Sequence, residues 1–228
     1  MEKILHIICP VGSGLASENE IEQLEYEDFL RLHINLLENY LEVINAGMLK
    51  YRKFVYAPLR VINEIESIQT IAESFVLVNT SGRITAGLIM ENALNEGKKT
   101  ANIITHSNLI GFDAAAIRKI GNLLDLDYEV AVVNESVNGK LIAAGINTPL
   151  SEELISAVRN NIAPDDFIRN DIDPDAALFI LRHGLMVKSR EDLGRLYQFL
   201  SLKESIPYCG NIYHERFTEL FVDYKHIL

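Results

Sequence analysis

The stretch Ile4-Leu5-His6-Ile7-Ile8-Cys9-Pro10-Val11-Gly12-Ser13-Gly14 decides how this chain is to be read. Its first five residues are nearly continuous in apolar character and too few for a helix, which is the pattern of a strand covered on both faces. Pro10 and two glycines then end it in a loop. Such a strand belongs in a parallel sheet with helices on both sides. Outward from it, Ile21, Leu24, Phe29, Leu32, Leu36, Leu37, Leu41 and Ile44 recur at helical spacing between Glu18 and Ala46, with Gly47 as the stop. Lys53–Ala57 and Phe75–Val78 read as strands, with a short helix around Ile65, Ile68 and Ile71. Thr85–Asn95 is a helix stopped by Gly97, and Ala101–Thr105 is again a strand. A helix from Asp113 to Leu124, capped by Asp113, precedes a strand over Tyr128–Val133.

The dipeptide Asn138-Gly139 is a tight-turn signal, and it sends Lys140–Ile146 back as the second arm of a hairpin. Ser151–Val158 is a capped helix, Asn160–Pro174 is polar and turn-rich, Ala176–Val187 is mostly apolar, and Glu191–Leu200 is helical. The expectation is an α/β protein with three layers, α/β/α, around a mainly parallel sheet made mixed by the late hairpin. Residues 1–200 form one domain. Residues 201–228 are an aromatic-rich extension, with Tyr208, Tyr213, Phe217, Phe221 and Tyr224 near His214 and Arg216, which packs on the same domain or serves as a subunit contact or lid.

The chain has 228 residues, 48% of them hydrophobic, enough for one sizeable core. A formal net charge of −11 repels nucleic acid and anionic membrane at long range, so neither is an expected partner. Two cysteines, Cys9 and Cys209, build no disulfide framework and no cysteine-rich zinc site, and a reducing cytoplasm fits them best. Met1–Cys9 is short, interrupted by His6 and without a small-residue cleavage site, so it reads as a strand and not a leader. No apolar run approaches the roughly 20 residues of a membrane-spanning helix.

In open sheets of this kind ligands bind beyond the carboxyl ends of the strands. That directs attention to Pro10–Gly14, Thr105–Asn108 and Asn134–Gly139. Pro10, Gly12, Ser13 and Gly14 can bring backbone N–H groups to a phosphate or a nucleobase, or form an ordinary turn; no complete dinucleotide fingerprint or P-loop is present. Arg83 is a plausible phosphate cation. Thr105, Ser107 and Asn108 offer polar groups to a sugar or phosphate, and His106 can act as a base or ligand or stand solvated at a loop tip. Glu135 is a candidate general base, and Asn138 and Gly139 border the same pocket; an exposed acid beside a hairpin turn is the alternative. Asp165-Asp166 and Asp171–Asp175 can bind a hard cation or form a solvated acidic loop. No Gly-x-Ser-x-Gly elbow occurs, which disfavours a hydrolase of that type.

Taken in order, Ala86–Leu94, Ile103–Leu109, Val130–Ile146 and Gly184–Leu193 resemble a glycosyltransferase-A-like bacterial family related to the molybdenum-cofactor guanylyltransferases and phospholactate guanylyltransferases. The resemblance spans roughly the first two hundred residues and is carried by order and spacing. It implies a nucleotide-diphospho-sugar transferase fold, a nucleotide or nucleotide-sugar as ligand, and Mg²⁺ or Mn²⁺ held by aspartates. The sequence departs from that pattern at several places. Ile89 stands at the family's arginine, Ser107 at its metal-site aspartate, Asn138 at the hairpin aspartate and Lys188 at the late aspartate, while Ala16-Ser17-Glu18 replaces a basic segment. Each departure removes charge that would hold a divalent ion and a diphosphate, so no residue is assigned as a metal ligand, although Glu135 or the Asp171 and Asp173 pair could substitute. Two expectations follow: a transferase of the glycosyl or nucleotidyl class, with Gly12–Gly14 near the base and Thr105–Asn108 near the phosphates, or a catalytically inactive member of the same fold that binds a partner or forms homo-oligomers.

Overall fold

The computed structural model describes residues 1–11, 21, 24–66, 68–81, 84–93 and 99–228. In chain order its elements are β1 (Glu2–Ile8), α1 (Tyr26–Ala46), β2 (Arg52–Ala57), α2 (Leu59–Glu66), α3 (Gln69–Ala72), β3 (Val76–Asn79), α4 (Ala86–Ala93), β4 (Thr100–His106), β5 (Leu109–Ile110) and α5 (Ala114–Leu123). They continue with β6 (Val130–Glu135), β7 (Leu141–Ile146), α6 (Glu152–Arg159), α7 (Pro164–Asp171), β8 (Ala177–Arg182), β9 (Leu185–Met186), α8 (Arg190–Leu200) and α9 (Asn211–Asp223).

β1 sorts its side chains by the two-residue period of a strand: Leu5 and Ile7 enter one core, Ile4 and Ile8 the other, all of them fully buried. The first core lies under α1, α2, α3, α5, α8 and α9, and the second under α4, α6 and α7. Among the described residues seven strands form one sheet in the order β3-β2-β1-β4-β7-β6-β8. All are parallel except β7, which pairs antiparallel with both β4 and β6. A small antiparallel ribbon, β5 with β9, sits beside the main sheet. The architecture is therefore the three-layer α/β/α arrangement around a mainly parallel mixed sheet that the residue pattern implies.

The long first helix buries Leu32, Leu36, Leu37, Leu41 and Ile44 along one stripe. Each such side chain contributes roughly 1.5–3 kcal/mol relative to exposure. Polar groups on the same helix fasten the C-terminal segment: Arg216 Nη1 lies 2.6 Å from Glu38 Oε2, Tyr213 donates to Glu42 at 2.7 Å, and the Gly210 N–H donates to Asn39 at 3.1 Å. Tyr213, Phe217 and Phe221 are buried with it.

One stretch differs from its sequence reading. Residues 160–174 are not all turn: Pro164–Asp171 is a helix, with proline in the first turn where its missing N–H costs nothing and Asp165 and Asp166 complementing the helix dipole. Buried Phe167 anchors it to the second core, an anchor too sparse to register as periodicity.

Candidate functional site

The chain climbs from β1 through β2 to β3 on one side, then crosses to β4 on the other side of β1. This reversal puts a topological switch point beyond the carboxyl ends of β1 and β4, where open α/β sheets have the crevice in which they bind ligands. The two strand ends are joined there, since the Ser107 N–H donates to the Ile8 carbonyl at 2.9 Å. Pro10 and buried Val11 leave β1 at this point. Gly12, Ser13, Gly14 and Arg83 lie outside the described residues.

The four polar residues that end β4 are all buried. Thr105 Oγ1 donates to the Ile142 carbonyl at 3.1 Å, which ties β4 to β7. His106 is not a solvated loop-tip residue: its Nε2 lies 2.7 Å from the Val158 carbonyl of α6, so Nε2 carries the proton. Burial is the main cause that lowers its pKa to about 4; the bond to Val158 opposes this and the Lys188 charge adds to it. The ring is neutral at pH 7. The Ser107 hydroxyl faces the Cys9 thiol. Asn108 donates from Nδ2 to the Val187 carbonyl at 2.7 Å, and its buried Oδ1 has no hydrogen-bond partner among the described residues.

The second wall of the crevice is the β6–β7 turn. Ser136 and Lys140 close it through paired bonds, Ser136 N–H to the Lys140 carbonyl at 2.8 Å and Lys140 N–H to Ser136 Oγ at 2.9 Å. Gly139 has φ of +74°, a backbone conformation that favours glycine, which explains the Asn-Gly pair. Glu135 ends β6 on the rim and pairs with Arg182 at 2.9 Å.

At the centre of this wall is Asp192, a residue that the sequence reading did not single out. Its side chain is 2% exposed. Oδ2 accepts from Lys140 Nζ at 2.9 Å, from the Ser189 N–H at 3.0 Å and from the Lys188 N–H at 3.2 Å, while Oδ1 accepts from Asn138 Nδ2 at 2.6 Å. Burial alone would raise this carboxyl, but the bonds from Lys140, Asn138 and Ser189 outweigh it and hold the group below the ordinary carboxylate range. Asn138 also donates to the Met186 carbonyl at 3.0 Å, so turn, ribbon and α8 are pinned at one point. The spacing Ser189-x-x-Asp192 is a capping-box signal, present in the structure with both of its bonds. That signal locates Asp192 at the start of α8; it carries no hint of Lys140, which is 52 residues away in the chain.

Solved structures of the same shape give the architecture a name. A protein from Desulfovibrio desulfuricans G20, provisionally assigned as a nucleotide-diphospho-sugar transferase, superposes with a TM-score of 0.64 at 14% identity, over 98% of this chain and 99% of that one. The chain has the nucleotide-diphospho-sugar transferase fold. A cytidylyltransferase from Leptospira borgpetersenii matches this fold with a TM-score of 0.56 at 13% identity, over 100% of this chain and 96% of that one. A nucleotidyl transferase from Methanothermobacter does so with 0.53 at 11% identity, over 86% and 96%. No protein-family model matches the sequence, and no curated protein does.

The resemblance brings with it the expectation of Mg²⁺ or Mn²⁺, and the described donors do not fit such an ion. Ser107 places a neutral hydroxyl where a carboxylate would be needed. The Asn138 amide and Asp192 are already bonded to each other, and Asp192 carries an ammonium on its second oxygen. Among the described residues no group of three or more His, Cys, Asp or Glu side chains could hold a metal ion. Asp171 and Asp173 lie just before β8, at its amino end, and so away from the carboxyl-end crevice. Among the described residues no helix is long and apolar enough to cross a membrane.

Proposed function

We propose that the chain binds a nucleotide or nucleotide-sugar in the crevice between β1 and β4 and is a transferase of the nucleotidyl or glycosyl class. The observation that carries this reading is the strand reversal at β1, which brings the loops after β1 and β4 together at one end of the sheet. The neighbours of the same fold, named as nucleotidyl and cytidylyl transferases, support the substrate class. In this reading Pro10, Gly12, Ser13 and Gly14 border the base, with Arg83 as a phosphate cation. Ser107, Asn108, Asn138 and Gly139 border the phosphates or sugar, and Thr105 joins the strands beneath them. Glu135, on the rim and partly exposed, is the candidate base; His106, with Nε2 committed to α6, supports the pocket floor.

Binding is tested by thermal shift and calorimetry against nucleoside diphosphates and nucleotide-sugars, since a ligand that binds only the native state raises its apparent stability. A saturable shift with one nucleotide supports the reading. No shift at millimolar concentration with any of them, with or without a divalent ion, removes it. A second reading, a member of the fold retained for binding without turnover, is favoured by the commitment of Asn138 and Asp192 to each other. This is the inactive member that binds a partner or forms homo-oligomers, and it requires that no donor release diphosphate or nucleotide.

A further inference from the structure

The end of the sheet remote from the switch point carries a cavity of about 450 Å³, a volume within the range of small-molecule sites. Met90 and Ala93 of α4, with Pro149 and Leu150 after β7, give it apolar walls. Thr100 and Asn102 line it from β4. The two-residue period of the strand puts both on the face that carries Ile104 of the second core. They stand at the amino end of β4, whereas the loop of the nucleotide crevice leaves its carboxyl end after His106.

A buried chain of hydrogen bonds fixes Asn102. Its Oδ1 lies 3.1 Å from His6 Nε2, and an amide oxygen only accepts, so Nε2 carries the ring's proton. His6 Nδ1 then accepts from the Tyr56 hydroxyl at 2.9 Å. Asn102 is 2% exposed, and His6 and Tyr56 are wholly buried. With Oδ1 committed to His6, the Asn102 Nδ2 group has no acceptor among the described residues, and it is not one of the polar atoms sealed without a partner inside the protein. It therefore opens on the cavity that Asn102 lines, an oriented donor among apolar walls. Such a donor is left unsatisfied unless a molecule in the cavity accepts from it. Lys99 and Glu129 stand exposed on the rim, one charge of each sign, so the rim selects neither an anion nor a cation.

We propose that this cavity is a second ligand site, for a small, uncharged, mainly apolar molecule whose carbonyl oxygen accepts from Asn102 Nδ2. Met90, Ala93, Pro149 and Leu150 cover its apolar part. His6 and Tyr56 are positioning residues: they set the direction of the amide without touching the ligand. The site is independent of the nucleotide reading, because it uses the other end of β4 and none of the residues assigned to that crevice.

The test is an NMR titration of the ¹⁵N-labelled full chain with acetophenone, an apolar ring bearing one carbonyl. The expected result is a saturable shift with a dissociation constant of about 1 mM, the scale for so small a ligand. It should be centred on the side-chain amide of Asn102 and the backbone amides of Thr100 and Leu150, with Ser107 and Asn108 unmoved. Asn102→Leu should weaken binding about fivefold, the scale of one neutral hydrogen bond, and Thr100→Phe, which fills the cavity from the strand, should abolish it. The map on the unaltered protein does not depend on either variant folding. No saturable shift at up to about 20 mM acetophenone overturns the proposal. So does a saturable shift that leaves the Asn102 side-chain amide in place or centres on Ser107 and Asn108, and so does unchanged affinity in a folded Asn102→Leu or Thr100→Phe protein.

Discussion

Replacing Asp192 by asparagine keeps the size of the side chain and takes away one acceptor and one charge. In the folded protein Oδ2 receives Lys140, Ser189 and Lys188, and Oδ1 receives Asn138. Whichever way the new amide turns, its NH₂ meets a donor where an acceptor is required. Charge-assisted bonds contribute about 1.5–3 kcal/mol each, and removing one partner of a buried ion pair costs about 3–5 kcal/mol. Lys140 can turn partly into water, which places the expected loss for Asp192→Asn near the low end, at about 3 kcal/mol. For a chain of this size that is a fall of about 6–12 °C in the unfolding midpoint. The assay is urea unfolding followed by circular dichroism on the native protein, Asp192→Asn, Lys140→Met and the double variant, with a coupling of about 1 kcal/mol or more expected between the two sites. The held-down carboxyl also sets the pH dependence. Its contribution is fully present above the ordinary value near 3.9 and is lost as pH falls through the lower folded value, so the gap between native and variant is constant above about pH 5 and closes in stronger acid. A loss below about 1 kcal/mol, or strict additivity, would refute the view that this carboxylate holds the turn and α8 together.

Three buried histidines make a second prediction. Burial is the main cause lowering His6, His33 and His106 to about 4, whereas the unfolded chain protonates them near 6.5. The unfolded state therefore takes up more protons as pH falls from about 6.5 toward 4, and stability drops with a slope approaching about 4 kcal/mol per pH unit for the three together; a flat unfolding free energy between pH 7 and 5 would contradict it. At the end of α1, a Cβ on Gly47 would stand 2.0 Å from the Ala114 Cβ of α5. Gly47→Ala is expected to cost about 2–3 kcal/mol by overpacking, and Ala114→Gly in the same chain should recover much of it in a thermal melt.

Much of the architecture was legible because it is local. The apolar run at Ile4–Ile8, the helical recurrence along α1, the Asp113 and Ser151 caps and the Asn138-Gly139 turn each express a preference of a few neighbouring residues, and each is found where its pattern places it. α7 escaped because eight residues with one buried aromatic carry no readable period. The polar residues that end β4 are legible as a strand end, but their burial is not, since only the neighbours across the sheet and α6 decide whether a His or Asn meets water.

By itself, then, the sequence determined the alternation of strands and helices, the reversal of one strand by a two-residue turn, and the want of carboxylates at Ser107 and Asn138, because these are properties of side-chain type and short-range spacing. Only the tertiary structure decided that β4 and β7 lie side by side, that His106 is held neutral under α6, and that Lys140 meets Asp192 across 52 residues of chain. A long-range ion pair has no local signature: its partners are joined by the closure of the whole sheet, and the fold that buries the carboxylate also supplies the cation that makes its burial tolerable.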